Sequence, residues 1–372
     1  MCLLAYAIPA HTQSFDEKDF VLYTSKDGLS DNRVTSVLQD RYGYLWIATS
    51  KGLNRFDGNS FLQFYSDTSS NSLVNDHIKQ LKWLGPDQLG CITGTGLHLI
   101  RTGTLQQRNI LIPPGPLNLP YIVNNIHGAA ADDQGNLFIL TSTGFYQYDP
   151  DDNLVFRYDH YKQADASRLE IPFGRNDGLI SPEPGLLLIA TTAGPYIYYI
   201  PKKELHAIGN HDASLYRKIA RDSGLVHFMH CSNGSFSVIA EGATELAWFD
   251  LEKKKKEQML SGISKPDEWF NWRSRIIPVN DSLYIISSMQ KGFFLMKADK
   301  DKGIYQILPK LYLPDYNCTG FLFDKRKRLW IATDRGLLRQ RKNAGHLSKT
   351  VIPSEQGPSG SPVGIRCITG SG

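Results

Sequence analysis

One short motif returns down this chain at nearly constant distance, and that periodicity leaves few folds open. An apolar run closes at Thr49 (LWIAT), Thr93 (GCIT), Thr141 (LFILT), Thr191 (LLIAT), Ala240 (FSVIA), Ser287 (LYIIS) and Thr333 (LWIAT again). Successive positions lie 44, 48, 50, 49, 47 and 46 residues apart. A helical solenoid of similar period would show apolar residues at i, i+3, i+4 and i+7, and these segments do not. A strand-built repeat in the mid-to-high forties is the sequence form of a propeller blade. The expected fold is all-β: a seven-bladed β-propeller of four-stranded antiparallel blades.

The first unit shows the plan most fully. Val34 to Leu38 reads as a strand, Asp40-Arg41-Tyr42-Gly43 as a turn, Tyr44 to Thr49 as a second strand and Leu53 to Phe56 as a third. A glycine opens most third strands (Gly52, Gly96, Gly144, Gly194, Gly292, Gly336), as a tight turn needing positive φ requires. A more polar fourth strand follows, as at Phe61 to Tyr65, Leu105 to Leu111, Leu154 to Tyr158 and Tyr305 to Leu308, expected at an outer edge facing water. Phe20 to Thr24 looks like a fourth strand with no blade ahead of it, and is predicted to close the ring beside Gly336 to Gln340. Residues 15–345 form the propeller on this reading. Residues 1–14 read as a signal-peptide remnant, since Met1 to Ala10 is apolar and ends in a small residue before the polar HTQS, but lacks a basic front. Residues 346–372 read as a linker and the start of a further repeat, with Val363 to Ile368 like a first strand.

Composition narrows function by exclusion. Net charge is +4, from 41 basic and 37 acidic residues, too balanced to argue for a nucleic-acid partner. Lys253 to Lys256 reads as a solvated hairpin tip, and Arg326-Lys327-Arg328 as a basic turn. None of the five cysteines sits in a CxxC, and Cys91 and Cys318 read as small buried hydrophobes. The ten histidines include no i, i+4 pair, so no metal and no cofactor is expected. Gly-x-Ser-x-Gly, P-loop and His-Glu-x-x-His signatures are absent, and the carboxylates show no fixed spacing, so no catalytic residue is assigned. No stretch is long and apolar enough to span a bilayer.

The first unit closely resembles the repeat of two-component regulator propeller proteins, the periplasmic sensor regions of hybrid two-component histidine kinases of Bacteroidetes. Gly28, Leu29, Val34, Asp40, Gly43, Leu45, Trp46, Ile47, Thr49, Gly52, Leu53, Arg55 and Phe56 carry the resemblance. The last unit repeats it with Asp324, Leu329, Trp330, Ile331 and Thr333, but has Lys327 where the turn glycine is usual. The third keeps Asp132 or Asp133, Gly135 and Thr141, with Phe138 for tryptophan. The resemblance implies an extracytoplasmic sensor, one propeller of a longer dimeric receptor that detects oligosaccharides from polysaccharide breakdown. Kinase and DNA-binding domains would lie outside this chain. A propeller enzyme (polysaccharide lyase or glycoside hydrolase) and a purely dimer-spacing scaffold are the alternatives.

In a propeller the loops before the first strand and between strands two and three open on one face. The pre-strand loops supply Asn32, Arg33, His77, Asn124, Trp272, Arg273, Tyr316 and Asn317 as candidate ligand contacts, with Trp269 nearby. The other loops supply Lys51 and Arg335. Amides and cations suit sugar hydroxyls, Trp269 and Trp272 offer stacking platforms, and Arg33 with Arg273 would pair with a uronate or sulfate. Asp40, Gly43 and Trp46 are assigned to blade construction, and Trp83 and Trp248 to the core.

Overall fold

A computed structural model describes residues 15–341 except 70, 115–123, 160–178, 184, 192–193, 208–225, 231–235, 241–245, 251–254, 262–274, 289–290 and 300. Among the described residues the structure is strands and turns, with two short 3-10 segments near the start. The first sheet takes Val34–Gln39, Leu45–Thr49, Gly52–Phe56 and Phe61–Phe64 in chain order, each antiparallel to the next. The second (from Ile78), the third (from Ile126) and the fourth (from Leu179) repeat it. The closing sheet joins Phe20–Tyr23 to Gly336–Gln340, Leu329–Thr333 and Cys318–Phe323.

Ring closure occurs where the sequence places it. Phe20 pairs with Gln340 and Tyr23 with Leu337, antiparallel. Arg341 N donates to Asp19 O at 2.8 Å, extending the seam by one bond. Phe15 is buried just ahead of it, edge-on to Phe293 and Tyr312 at 5.5 Å each.

Why the second strands read as continuous apolar runs follows from their burial on both faces. Leu45 and Ile47 pack into one cluster with Trp330 and Ala332 of the closing sheet. Trp46 and Ala48, pointing the other way, pack with Leu81, Leu89 and Cys91 of the second sheet. Leu137 and Ile139 likewise face the second sheet, Phe138 and Leu140 the fourth. The core is thus a series of apolar layers between neighbouring sheets. Cys91 and Cys318 are buried free thiols in these layers, as their strand context suggested. Trp83 is partly buried against the second-sheet layer. Trp248 lies in a described strand, Leu246–Asp250.

One sheet departs from the expected plan. Strands between Val226 and Ile307 form a single eight-stranded sheet of two antiparallel sets of four. The sets join where Lys255–Ser261 runs parallel to Ile304–Ile307. Ile304–Ile307 is therefore not a water-facing edge: its second row of backbone groups is paired, and Tyr305 and Ile307 are buried. An unpaired edge exposes hydrogen-bonding groups, and pairing removes that exposure. Lys255 and Lys256 open a strand antiparallel to Leu246–Asp250, opposite Asp250 and Phe249, while Lys253 and Lys254 of the expected hairpin tip lie outside the described residues.

Candidate ligand face

The loops of one face rest on a repeated hydroxyl turn. Thr49 Oγ1 accepts from Lys51 N at 3.0 Å and donates to Gly52 O at 3.0 Å. Thr93 makes the same pair with Thr95 N and Gly96 O, and Thr333 with Arg335 N and Gly336 O. The threonine that ends these three apolar runs is thereby explained as a local cap on the loop after it. Across the face, the carbonyl just before the inner strand accepts from the first loop residue. Ser50 N bonds Arg33 O at 3.0 Å, Ser142 N bonds Asn125 O at 3.1 Å, and Asp334 N bonds Asn317 O at 3.3 Å. These bonds seat the two candidate loop sets side by side.

Each inner strand of the first, second, third and closing sheets carries a register shift at its second residue: Thr35, Lys79, His127 and Thr319. Such bulges re-aim a side chain. Thr319 Oγ1 donates to Val34 O at 2.8 Å, Thr35 Oγ1 to Ile78 O at 2.7 Å, and Lys79 Nζ to Ile126 O at 3.0 Å. One side-chain bond thus ties each of these inner strands to the next. At the junction of the second and third sheets a polar cluster results. Lys79 Nζ also donates to Asn125 Oδ1 at 2.6 Å, while Asn125 Nδ2 and His127 Nε2 each lie 2.7 Å from Ser142 Oγ. Burial draws the Lys79 ammonium down to a pKa of about 8. Lys79 and His127 were missed in the sequence because strand alternation assigns the second residue of an inner strand no special role. The shared bulge register is what singles them out.

The anticipated contacts divide. Arg33, Lys51, His77 and Arg335 are exposed at the rim, with Lys51 3.7 Å from Asp31 and Arg335 over the Tyr316 ring at 5.6 Å. Asn317 is half-buried, and its backbone N donates to Asp334. The other three have internal duties. Asn32 Oδ1 accepts from Ser25 N at 2.7 Å, Asn124 is buried with its amide exchanging bonds with the Ile112 backbone, and Tyr316 is buried with its hydroxyl donating to Glu17. Trp269, Trp272 and Arg273 lie outside the described residues.

The opposite face carries the Asp turns. Asp40 Oδ1 accepts from Tyr42 N and Tyr44 N, and Oδ2 from Trp46 Nε1, all at 2.9 Å. Asp324 repeats this with Arg326 N, Arg328 N and Trp330 Nε1, adding Arg328 Nε at 2.7 Å. Burial pushes the Asp324 pKa up most strongly, but these donors together outweigh it and hold the carboxyl below its ordinary value. A groove of about 660 Å³ lies between these two turns, with Tyr42, Tyr44, Asn59 and Arg326 on its walls. It is lined by blade construction.

Residues 28–51 match the family model described as "Two component regulator propeller". A 72-residue stretch, 19% of this chain and 5% of its relative, is 35% identical to Histidine kinase P4 of Formosa agariphila. Among solved structures, the extracellular domain assigned to a hybrid two component system of B. thetaiotaomicron aligns with TM-score 0.59 at 18% identity. That alignment covers 86% of this chain and 41% of the other, so the chain spans well under half of it. Virginiamycin B lyase from Staphylococcus aureus aligns with TM-score 0.58 at 9% identity, over 86% of this chain and 97% of the enzyme. Likeness at these identities establishes the fold. With the matched repeat set in its first sheet, the chain is a β-propeller that carries the two component regulator propeller repeat.

Proposed function

We propose that this chain is a seven-bladed, non-catalytic sensing propeller in the periplasmic part of a hybrid two-component receptor. In this reading it receives an oligosaccharide from polysaccharide breakdown on the face that carries Arg33, Lys51, His77 and Arg335. Binding contributes differential affinity between two arrangements of a receptor dimer, and a kinase outside this chain reads the shift into expression of utilisation genes. The observation that carries the reading is the family match on residues 28–51, the unit that keeps most of the repeat's residues. The polar, cationic character of the rim supports a hydroxylated ligand, and the likeness to a hybrid two component extracellular domain agrees with it.

An enzyme is the second reading, because a lyase shares the fold to the same degree. Calorimetry against a panel of oligosaccharides, with chromatography of each mixture, separates the two. The sensor reading predicts saturable binding with every sugar recovered intact, weakened in Trp272→Ala and Arg273→Ala. Cleaved product would establish the enzyme, and absence of binding across the panel would leave the propeller a spacer.

A further inference from the structure

The repeat supplies its own comparison for Lys79. Thr35 and Thr319 hold the same bulged position, and each joins neighbouring inner strands through a hydroxyl. Lys79 makes that same bond, to Ile126 O. A hydroxyl therefore suffices at this junction, and the ammonium brings a charge that the junction does not need.

That charge is half-buried, and its two acceptors, Asn125 Oδ1 and Ile126 O, are neutral. Among the described residues no carboxylate forms an ion pair with it, and burial alone accounts for its lowered pKa. Holding an ammonium away from water without a counterion is costly, and an anion from solution would relieve that cost. Among the described residues two acceptors engage the ammonium, which carries three hydrogens. The residue after the capping threonine is Ser50, Ser142 and Asp334 in the first, third and closing units, but Gly94 here. A Cβ at Gly94 would lie 3.7 Å from Lys79 Cε and 3.9 Å from Lys79 Nζ and Asn125 Oδ1, so the bare glycine puts no side chain against the lysine head there. Beyond Asn125, Ser142 Oγ and His127 Nε2 continue the polar wall at 2.7 Å from one another.

We propose that Lys79, Asn125, Ser142 and His127 form a seat for one compact oxyanion, the carboxylate or sulfate group of a saccharide. The inference rests on the oligosaccharide reading above and adds that the sugar is acidic.

Binding isotherms of this chain with a uronate disaccharide, a sulfated disaccharide, their neutral counterpart and free sodium sulfate test it. Lys79→Thr installs the residue the repeat itself uses, and Gly94→Asp places a carboxylate beside the ammonium while leaving the junction intact. Both variants are expected to melt at or slightly above the wild-type temperature, since one removes and the other pairs the uncompensated charge, and to bind the acidic disaccharide about tenfold or more weakly, as loss of a charge-assisted bond predicts. The neutral sugar should not discriminate between the variants and wild type. Uronate and sulfate arms identify which oxyanion fits. Acidic sugars binding equally to wild type and both variants would overturn the seat, as would a Lys79→Thr chain that no longer folds. A neutral disaccharide binding as tightly as the acidic ones would sink the inference and leave the sensor reading standing. Lys79-dependent sulfate binding with no saccharide bound would keep the seat and reject the saccharide reading. No binding in any arm would reject both.

Discussion

Asp40, Asp132 and Asp324 occupy the same turn in three sheets, yet their second carboxylate oxygen is satisfied in three ways. Asp40 has Trp46 Nε1, Asp324 has Trp330 Nε1 and Arg328 Nε, and Asp132 has Asn136 Nδ2 at 2.7 Å where Phe138 replaces tryptophan. Trp330→Phe therefore leaves Asp324 still bonded, whereas Trp46→Phe leaves a buried carboxylate oxygen without a donor. We expect Trp46→Phe to cost about 1–2 kcal/mol more than Trp330→Phe in chemical denaturation. Equal losses would show that the indole bond contributes little. The lowered Asp324 pKa fixes a sign: its stabilisation is present above the unfolded carboxylate pKa and fades as pH falls through the lower folded one. Asp324→Asn should accordingly flatten the acid side of the stability profile. In the same turn Lys327 sits at φ +60°, where Gly43 and Gly135 have φ +97° and +87°. Relief of left-handed strain should let Lys327→Gly gain about 0.5–1 kcal/mol, read as a rise in melting temperature.

At the scale of elements, the closing strand is the most exacting. Gly336 has φ +140°, and a Cβ there would fall 2.3 Å from Tyr23 O on the strand that completes the ring. Gly336→Ala should destabilise by at least about 2 kcal/mol and expose the Gly336–Gln340 edge, measured by melting and by self-association in sedimentation. An unchanged, monomeric variant would contradict this seam. Strand order, the closing pair and the Asp–Trp turns were legible because each depends on local pattern: period, glycine position, an aspartate six residues before a tryptophan. The parallel junction of Lys255–Ser261 with Ile304–Ile307 was not, since it joins outer strands of separate units by contacts that no local pattern encodes. Burial of Tyr316 was likewise hidden, because its partner Glu17 lies 299 residues away in sequence.

For the whole molecule, the two faces divide labour. One carries Asp turns whose carboxylates are bonded internally, with Arg41, Lys325 and Arg326 exposed beside them, and the other carries Arg33, Lys51, His77 and Arg335 around the Lys79 cluster. Sequence reasoning proposed contacts on these loops but passed over the inner-strand bulges, where a lysine and a histidine stand at a position that holds threonine in the first and closing sheets. That division is the central claim, and hydrogen exchange with mass spectrometry tests it most directly. The chain is measured alone and saturated with the tightest-binding disaccharide of the panel above. Protection is predicted in peptides spanning 31–35, 77–80, 124–128 and 141–143, with 40–46 and 324–330 unchanged. Protection centred on the Asp turns and the groove between them, with the rim unaffected, would contradict the account.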